Sequence, residues 1–140
     1  MNILEVKNLR TAFHSDDGVV QAVRGIDFSI GEGESIGVVG ESGCGKSVTM
    51  LSVMRLLGDS ARVTADSICF DGVELPSLDK DEMRRVRGHR IGMIFQDPMT
   101  SLNPVYTIGN QVMEPLRIHL KMSPDKARKR AMELMELVGI

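Results

Sequence analysis

Residues Gly40-Glu41-Ser42-Gly43-Cys44-Gly45-Lys46-Ser47 place glycines, a lysine and a hydroxyl in the order G-x-x-x-x-G-K-S. Those residue types at that spacing suit one chemistry, the holding of phosphate. Backbone N–H groups of such a loop converge on an anion, and a helix starting at the lysine adds the positive end of its dipole. Lys46 would set a point charge between β- and γ-phosphates, and the Ser47 hydroxyl would ligate Mg²⁺. Glycine is required where the backbone takes φ > 0 or must approach phosphate closely. The loop works only between a strand and a helix. The apolar run Ser35–Val39 before it predicts the strand, and Ser47–Leu57 after it predicts the helix.

A second segment could complete such a site. Ile91-Gly92-Met93-Ile94-Phe95 reads as a buried strand and runs into Gln96-Asp97-Pro98-Met99-Thr100-Ser101-Leu102-Asn103-Pro104. A strand ending in Gln96 would put its amide oxygen on the edge where the phosphate loop opens, within reach of Mg²⁺ or an attacking water. The following loop, bracketed by two prolines, could move with nucleotide state.

The remaining elements must position these two segments. Ile3–Leu9, Thr11–Phe13, Val19–Val23 and Ile26–Ile30 read as half-buried strands, with a turn at His14–Gly18. Gly31-Glu32-Gly33-Glu34 turns the chain toward the loop. The Ser47–Leu57 helix is apolar on almost every side and predicts burial, with Gly58 as its cap. A second Asp-Gly hairpin falls at Asp71-Gly72 within Ser67–Leu75. Asp79 with Glu82 resembles a capping box for a short polar helix ending at Gly88. Thr107 caps a helix to about Leu120, interrupted by Pro115. Ser123-Pro124 opens a last helix that Gly139 stops. Antiparallel strands preceding a strand that feeds a helix make the fold class mixed α/β.

Composition excludes several functions. At 140 residues the chain makes one domain or part of one, with a formal net charge of −2 that favours neither nucleic acid nor anionic membrane. Cys44 and Cys69 have no C-x-x-C spacing, which argues against a disulfide framework or zinc site and fits a reducing cytosol. The N-terminus has no signal pattern, and no apolar stretch reaches the ~18 residues of a membrane span. The ten methionines read as core filler. Arg84, Arg85, Arg87 and Arg90, with His89, read as a solvated helix face balanced by Asp79, Asp81 and Glu82.

The two segments together resemble the nucleotide-binding subunit of an ATP-binding cassette (ABC) transporter, in the branch of the oligopeptide and dipeptide importers. The likeness rests on Val38-Val39-Gly40 into Glu41–Ser47, on Gly31-Glu32-Gly33-Glu34, on Phe95–Pro104, and on Glu133-Leu134-Met135-Glu136-Leu137-Val138-Gly139-Ile140. It spans the whole chain. It implies a P-loop NTPase core with an antiparallel β-subdomain and the start of an α-helical subdomain. The β-subdomain would be mainly residues 1–34, the core to the Q-loop 35–104, and the helical start 105–140.

The resemblance implies ATP and Mg²⁺ as cofactors. Gly40, Glu41, Ser42, Gly43, Cys44, Gly45, Lys46, Ser47 and the adjoining Val48 would hold the nucleotide. Phe13 would stack on adenine, its plainer alternative being a strand core residue. Gln96 would be the glutamine that senses Mg²⁺ and the γ-phosphate, its alternative a surface amide at a strand end. Lys46 and Gln96 are thus the candidate catalytic residues, and Ser47 and Gln96 the candidate metal ligands. Implied partners are transmembrane permease subunits, a second ATPase subunit as homo- or heterodimer, and indirectly a solute-binding protein, with no nucleic acid. The implied place is the cytoplasmic face of the cell membrane. The region from about Val105 to Leu137 would receive a helix of the permease.

The sequence departs from the family in what it lacks. It holds no signature segment of the Leu-Ser-Gly-Gly-Gln type and no apolar strand ending in an Asp-Glu pair. None of His14, His89 and His119 suits the switch histidine. Asp97 follows an apolar run, but Gln96 intervenes. The expectation is the N-terminal part of a longer importer ATPase that hydrolyses ATP little or not at all by itself. Two other classes stay open: a different P-loop phosphotransferase using Asp97 as its acid, and a non-catalytic nucleotide-binding module.

Overall fold

The computed structural model describes residues 1–96 and 101–140. The chain divides into two compact units, Met1–Asp79 and Lys80–Ile140.

In the first unit, β1 (Asn2–Ser15) is the central strand. It pairs along its length with β2 (Gly18–Gly31), and its other edge is shared by β3 (Ala61–Thr64) and β4 (Ser67–Phe70), all antiparallel. β5 (Val73–Glu74) continues the sheet beyond β4. The β1–β2 turn is Asp16-Asp17, and the β4–β5 turn is Asp71-Gly72 with φ of 47° and 76°. Positive φ at both central residues of the Asp71-Gly72 turn is the two-residue geometry that matches strand twist. Both expected hairpins form, the β1–β2 turn placing its positive φ at Gly18 (130°).

Sequence reading split β1 and β2 into four short strands. They are two long ones, and the apparent breaks are bulges. Asn8 (φ 49°) lies between the pairs Val6↔Phe28 and Leu9↔Ile26, Gly25 (φ 95°) between Leu9↔Ile26 and Arg10↔Arg24, and Ala22 between Thr11↔Val23 and Ala12↔Gln21. Each extra residue shifts the phase of alternation by one. Val6, Leu9, Thr11 and Val23 therefore all reach the buried face, although their spacing is irregular.

Helix α1 (Lys46–Val53) covers that face. Its buried side is Thr49, Ser52 and Val53, and the Ser52 and Thr11 hydroxyls meet at 2.7 Å with both residues 0% exposed. The helix is shorter than the Ser47–Leu57 expected, and Gly58 is not its cap. Arg55 takes φ 52°. Its N–H donates to the Ser52 carbonyl, while that of Leu56 donates to Leu51 at 2.9 Å. This is the paired closure of a Schellman motif, with arginine in the place glycine usually takes. The Arg55 guanidinium donates to the carbonyls of Leu75 and Leu78 at 3.0 and 2.7 Å, which offsets the left-handed backbone.

The second unit holds α2 (Lys80–Val86), α3 (Ile108–Ile118) and α4 (Pro124–Leu137). The Thr107 hydroxyl accepts from the Asn110 N–H at 3.3 Å and caps α3, which carries Pro115. Ser123 and Pro124 open α4, and Gly139 (φ 81°) closes it. Leu116, Ala127 and Ala131 form the core between α3 and α4, with Val112, Met113 and Met122 packed around them. On α2, acidic Asp81 and Glu82 occupy the first turn and Arg84 and Arg85 the last, favourable ends for those charges. Arg84 lies 3.4 Å from Asp81 on the exposed side, as the balanced-face reading expected.

Two expected strands do not form. Residues 35–39 and 92–95 have no ladder partner among the described residues, and Ile91 makes only a single bridge to Arg87. Val39 is 96% and Ile94 99% exposed. An apolar run becomes a buried strand only where neighbouring strands satisfy its N–H and C=O groups.

The Thr11–Ser52 contact supplies a stability test. Ser52→Ala leaves the buried Thr11 hydroxyl unpaired and is expected to cost about 1–3 kcal/mol in urea unfolding. The double variant Thr11→Val/Ser52→Ala removes both partners and is expected to be more stable than Ser52→Ala alone.

Candidate functional site

The phosphate-type loop leaves the exposed residues 35–39 and enters α1. Gly43 and Gly45 take φ of 83° and 97°. A Cβ at Gly45 would stand 2.7 Å from the Ala22 carbonyl oxygen, whereas one at Gly43 would meet nothing within 4 Å. Gly45 is thus required twice, by its backbone conformation and by the bulged residue of β2 pressed against it. Gly40 is tight for another reason, since a Cβ there would stand 2.6 Å from Cys44 Sγ.

Lys46 folds back over the loop. Its Nζ donates to the carbonyls of Gly40 and Glu41 at 2.6 and 2.7 Å and lies 3.4 Å from Cys44 Sγ. An ammonium has three donors and these two carbonyls are neutral acceptors, so its charge is held at the loop without being neutralised. Behind it, α1 begins at Lys46 with no side-chain cap, and the Thr49 amide and hydroxyl both donate to the Gly45 carbonyl, at 2.8 and 2.9 Å. The leading amides of the helix, at Lys46 and Ser47, have no carbonyl within the helix to receive them. The donor set is one cation, uncapped amides and the exposed hydroxyl of Ser47. It fits a polyphosphate oxyanion.

A cleft of about 560 Å³ opens beside the loop. Its floor includes Gly43, Cys44, Gly45, Lys46 and Thr49, and β2 supplies a wall that includes Val20, Val23 and Ile26. That wall was missed in the sequence, where its only signal was the apolar alternation of a strand. Phe13 is half-buried and does not line the cleft, but its ladder partner Val20 does. Val48 is half-buried in the first turn of α1.

Gln96 lies in the second unit, exposed at a bend after residues 92–95. The expected strand end that would have aimed it is not formed. Asp97, Pro98, Met99 and Thr100 lie outside the described residues. From Asn103 onward the segment is tied to α3: Gln111 accepts from the Asn103 N–H at 2.8 Å and donates to the carbonyls of Asn103 and Tyr106 at 2.9 and 3.0 Å. Among the described residues no group of three or more His, Cys, Asp or Glu could hold a metal.

Residues 23–140 match the ABC transporter family, and the chain belongs to it. It is 50% identical over 139 residues to the oligopeptide transport ATP-binding protein OppD of Bacillus subtilis, covering 99% of this chain and 39% of that protein. It is 51% identical to the dipeptide transport ATP-binding protein DppD of the same organism, again over 99% of this chain and 42% of the relative. Against the probable peptide ABC transporter ATP-binding protein y4tR of Sinorhizobium fredii it is 47% identical, over 99% of this chain and 42% of the relative. The chain thus spans about two-fifths of the length of these relatives. The fold is similar to the ATP-binding cassette MJ0796, solved as a dimer in a post-hydrolysis state with ADP and Pi, with a TM-score of 0.79 and 28% identity over 95% of this chain and 56% of that one. The α/β class, with an antiparallel β-subdomain and helices, agrees with that neighbour. No helix among the described residues is long and apolar enough to cross a membrane.

The two loop glycines should respond differently to alanine. Gly43→Ala carries only the left-handed backbone penalty of roughly 1–2 kcal/mol. Gly45→Ala adds the clash with Ala22 and is expected to be the more destabilising in paired urea melts.

Proposed function

We propose that this chain binds MgATP as part of an importer ATPase that couples ATP hydrolysis to transmembrane uptake of peptides. The observation that carries the reading is the Lys46 ammonium poised over the Gly40–Ser47 loop, in front of the uncapped start of α1. In this role Lys46 exchanges the Gly40 and Glu41 carbonyls for β- and γ-phosphate oxygens, which are charged and therefore stronger acceptors. Amides from Gly43 to Ser47 receive the β-phosphate. The Ser47 hydroxyl would be a ligand of Mg²⁺ on the loop, the Gln96 amide oxygen would be a further ligand, and the ion would supply positive charge to the phosphates. Phe13 would offer a ring face for adenine beside its ladder partner Val20, which lines the cleft.

The relatives named for peptide, oligopeptide and dipeptide transport support peptides as the solute class. The neighbour solved as a dimer supports pairing with a second ATPase subunit. The exposed apolar surface of Val105, Tyr106 and Ile108 supports a permease contact, with the protein held at the cytoplasmic face of the membrane and a solute-binding protein acting at a distance. The residues that orient water and hold metal in the family's signature and Asp-Glu motifs are not among these 140. Binding without turnover is therefore the expected behaviour of the chain alone.

Calorimetric titration with MgATP, with phosphate release followed in the same samples, tests the proposal. Saturable binding should weaken about tenfold or more in Lys46→Ala, the size of one lost hydrogen bond to a charged group. Phosphate release should stay at background. Steady release that disappears in Lys46→Ala would overturn the expectation for the isolated chain.

Cys44 gives a second readout. It is exposed, and its Sγ lies 3.4 Å from Lys46 Nζ. Bound MgATP should slow its alkylation by iodoacetamide while leaving labelling of Cys69 unchanged. Equal Cys44 rates with and without MgATP would count against nucleotide seated on the loop.

A further inference from the structure

The face of the β1–β2–β3 sheet opposite α1 carries a second cleft, of about 530 Å³. Its plan follows from register. Arg10 stands between Arg24 on β2 and Thr64 on β3, and Ala12, the next residue on that face, stands between Gln21 and Arg62. His14 follows, opposite Val19. A methyl group at Ala12 is thus ringed by long polar side chains, which makes a basin with a low floor.

The charges of this basin are unbalanced. Arg10 and Arg24 are directly opposite each other, an arrangement that costs stability when like charges have nothing between them. Among the described residues no ion pair holds Arg10, Arg24 or Arg62, and no carboxylate lines the cleft. Carboxylates lie close by but are used elsewhere. Asp27 accepts from the Asn8 N–H at 2.7 Å, and Asp66 accepts from the Asn8 amide at 3.2 and 3.3 Å. Asn8, so held, offers its own amide oxygen to Arg10 Nε at 3.0 Å. The Arg10 guanidinium is therefore oriented by a neutral acceptor that leaves its charge available. Gly25 makes room for it, because a Cβ there would stand 2.9 Å from Arg10 Nη2.

We propose that this basin binds a soluble small molecule carrying two or more phosphate groups, at a site on the opposite sheet face from the Gly40–Ser47 loop, with Gln21 and Arg24 of the edge strand β2 bordering both clefts. Three guanidinium groups present planar donor forks suited to phosphate oxygens, and Gln21, Thr64 and His14 add further donors around them. The volume lies in the range of small-molecule sites. Ala12 admits the anion to the sheet floor, where the opposed arginines can share one phosphate and relieve their repulsion.

The test uses inorganic pyrophosphate and the Lys46→Ala chain, so that the loop lysine contributes nothing. Calorimetry should show saturable binding, and the His14 ring resonances should shift with the same titration curve. Arg24→Gln/Arg62→Gln, both exposed positions, should weaken that binding about tenfold or more. Ala12→Leu keeps every charge but fills the floor, and should abolish the His14 shift. Full binding in Ala12→Leu would mean diffuse attraction to a basic face and would overturn the site. A silent His14 ring would overturn it as well. Vesicles of equimolar phosphatidylglycerol and phosphatidylcholine form the second arm. Arginine-dependent vesicle binding without pyrophosphate binding would overturn the soluble ligand in favour of a lipid headgroup.

Discussion

The approach of the Ala22 carbonyl to Gly45 is the constraint on which the first unit's site depends. β2 carries one residue more than β1 at this point, and the surplus residue pushes its backbone toward the loop. Only a residue without a Cβ can sit there, and only one tolerant of φ 97° can pass from the loop into α1. The hairpin therefore fixes where the helix begins. The helix start fixes where the Lys46 amine and the leading amides lie. On the other side of the same contact, the Thr11 and Ser52 hydroxyls lock α1 to β1. This polar pair restricts how the helix can slide, because a displacement leaves the buried Thr11 hydroxyl unpaired, whereas Ser52 keeps its bond to the Val48 carbonyl at 2.7 Å.

The loop itself is held by weak internal contacts of the kind a ligand can replace. Lys46 donates to two neutral carbonyls, on exposed backbone, and phosphate oxygens are better acceptors for an ammonium. The exchange requires little rearrangement of the sheet or of α1. The same logic applies on the opposite sheet face, where Asn8 orients Arg10 without neutralising it. In both places the fold stores a positive charge beside neutral partners, and both charges are positioned by bulges in one hairpin.

Much of this was readable from residue types. The G-x-x-x-x-G-K-S loop, both Asp-Gly turns, the Thr107 and Ser123 starts and the Gly139 stop all rest on local chemistry that acts over a few residues. Such signals survive any context. The end of α1 did not follow the same rule, because Gly58 was available but Arg55 took the left-handed position. What decided it was not local: the Leu75 and Leu78 carbonyls reward an arginine there. The strands 35–39 and 92–95 failed for a related reason. Their apolar composition satisfies any buried strand, but a strand also needs a ladder partner, and neither segment has one among the described residues.

By itself, the sequence determined the phosphate-binding chemistry, the hairpins, the helix starts and the family, since each depends on residues adjacent along the chain or on motif order. Tertiary structure alone decided the phase of the long strands, the β2 wall of the cleft, the double requirement for Gly45 and the arginine basin around Ala12. Each of these depends on which residues face each other across strands. A bulge moves that pairing by one residue and turns every later side chain to the other face. Composition and periodicity carry no record of where the surplus residue sits, so only the folded ladder shows which side chains meet.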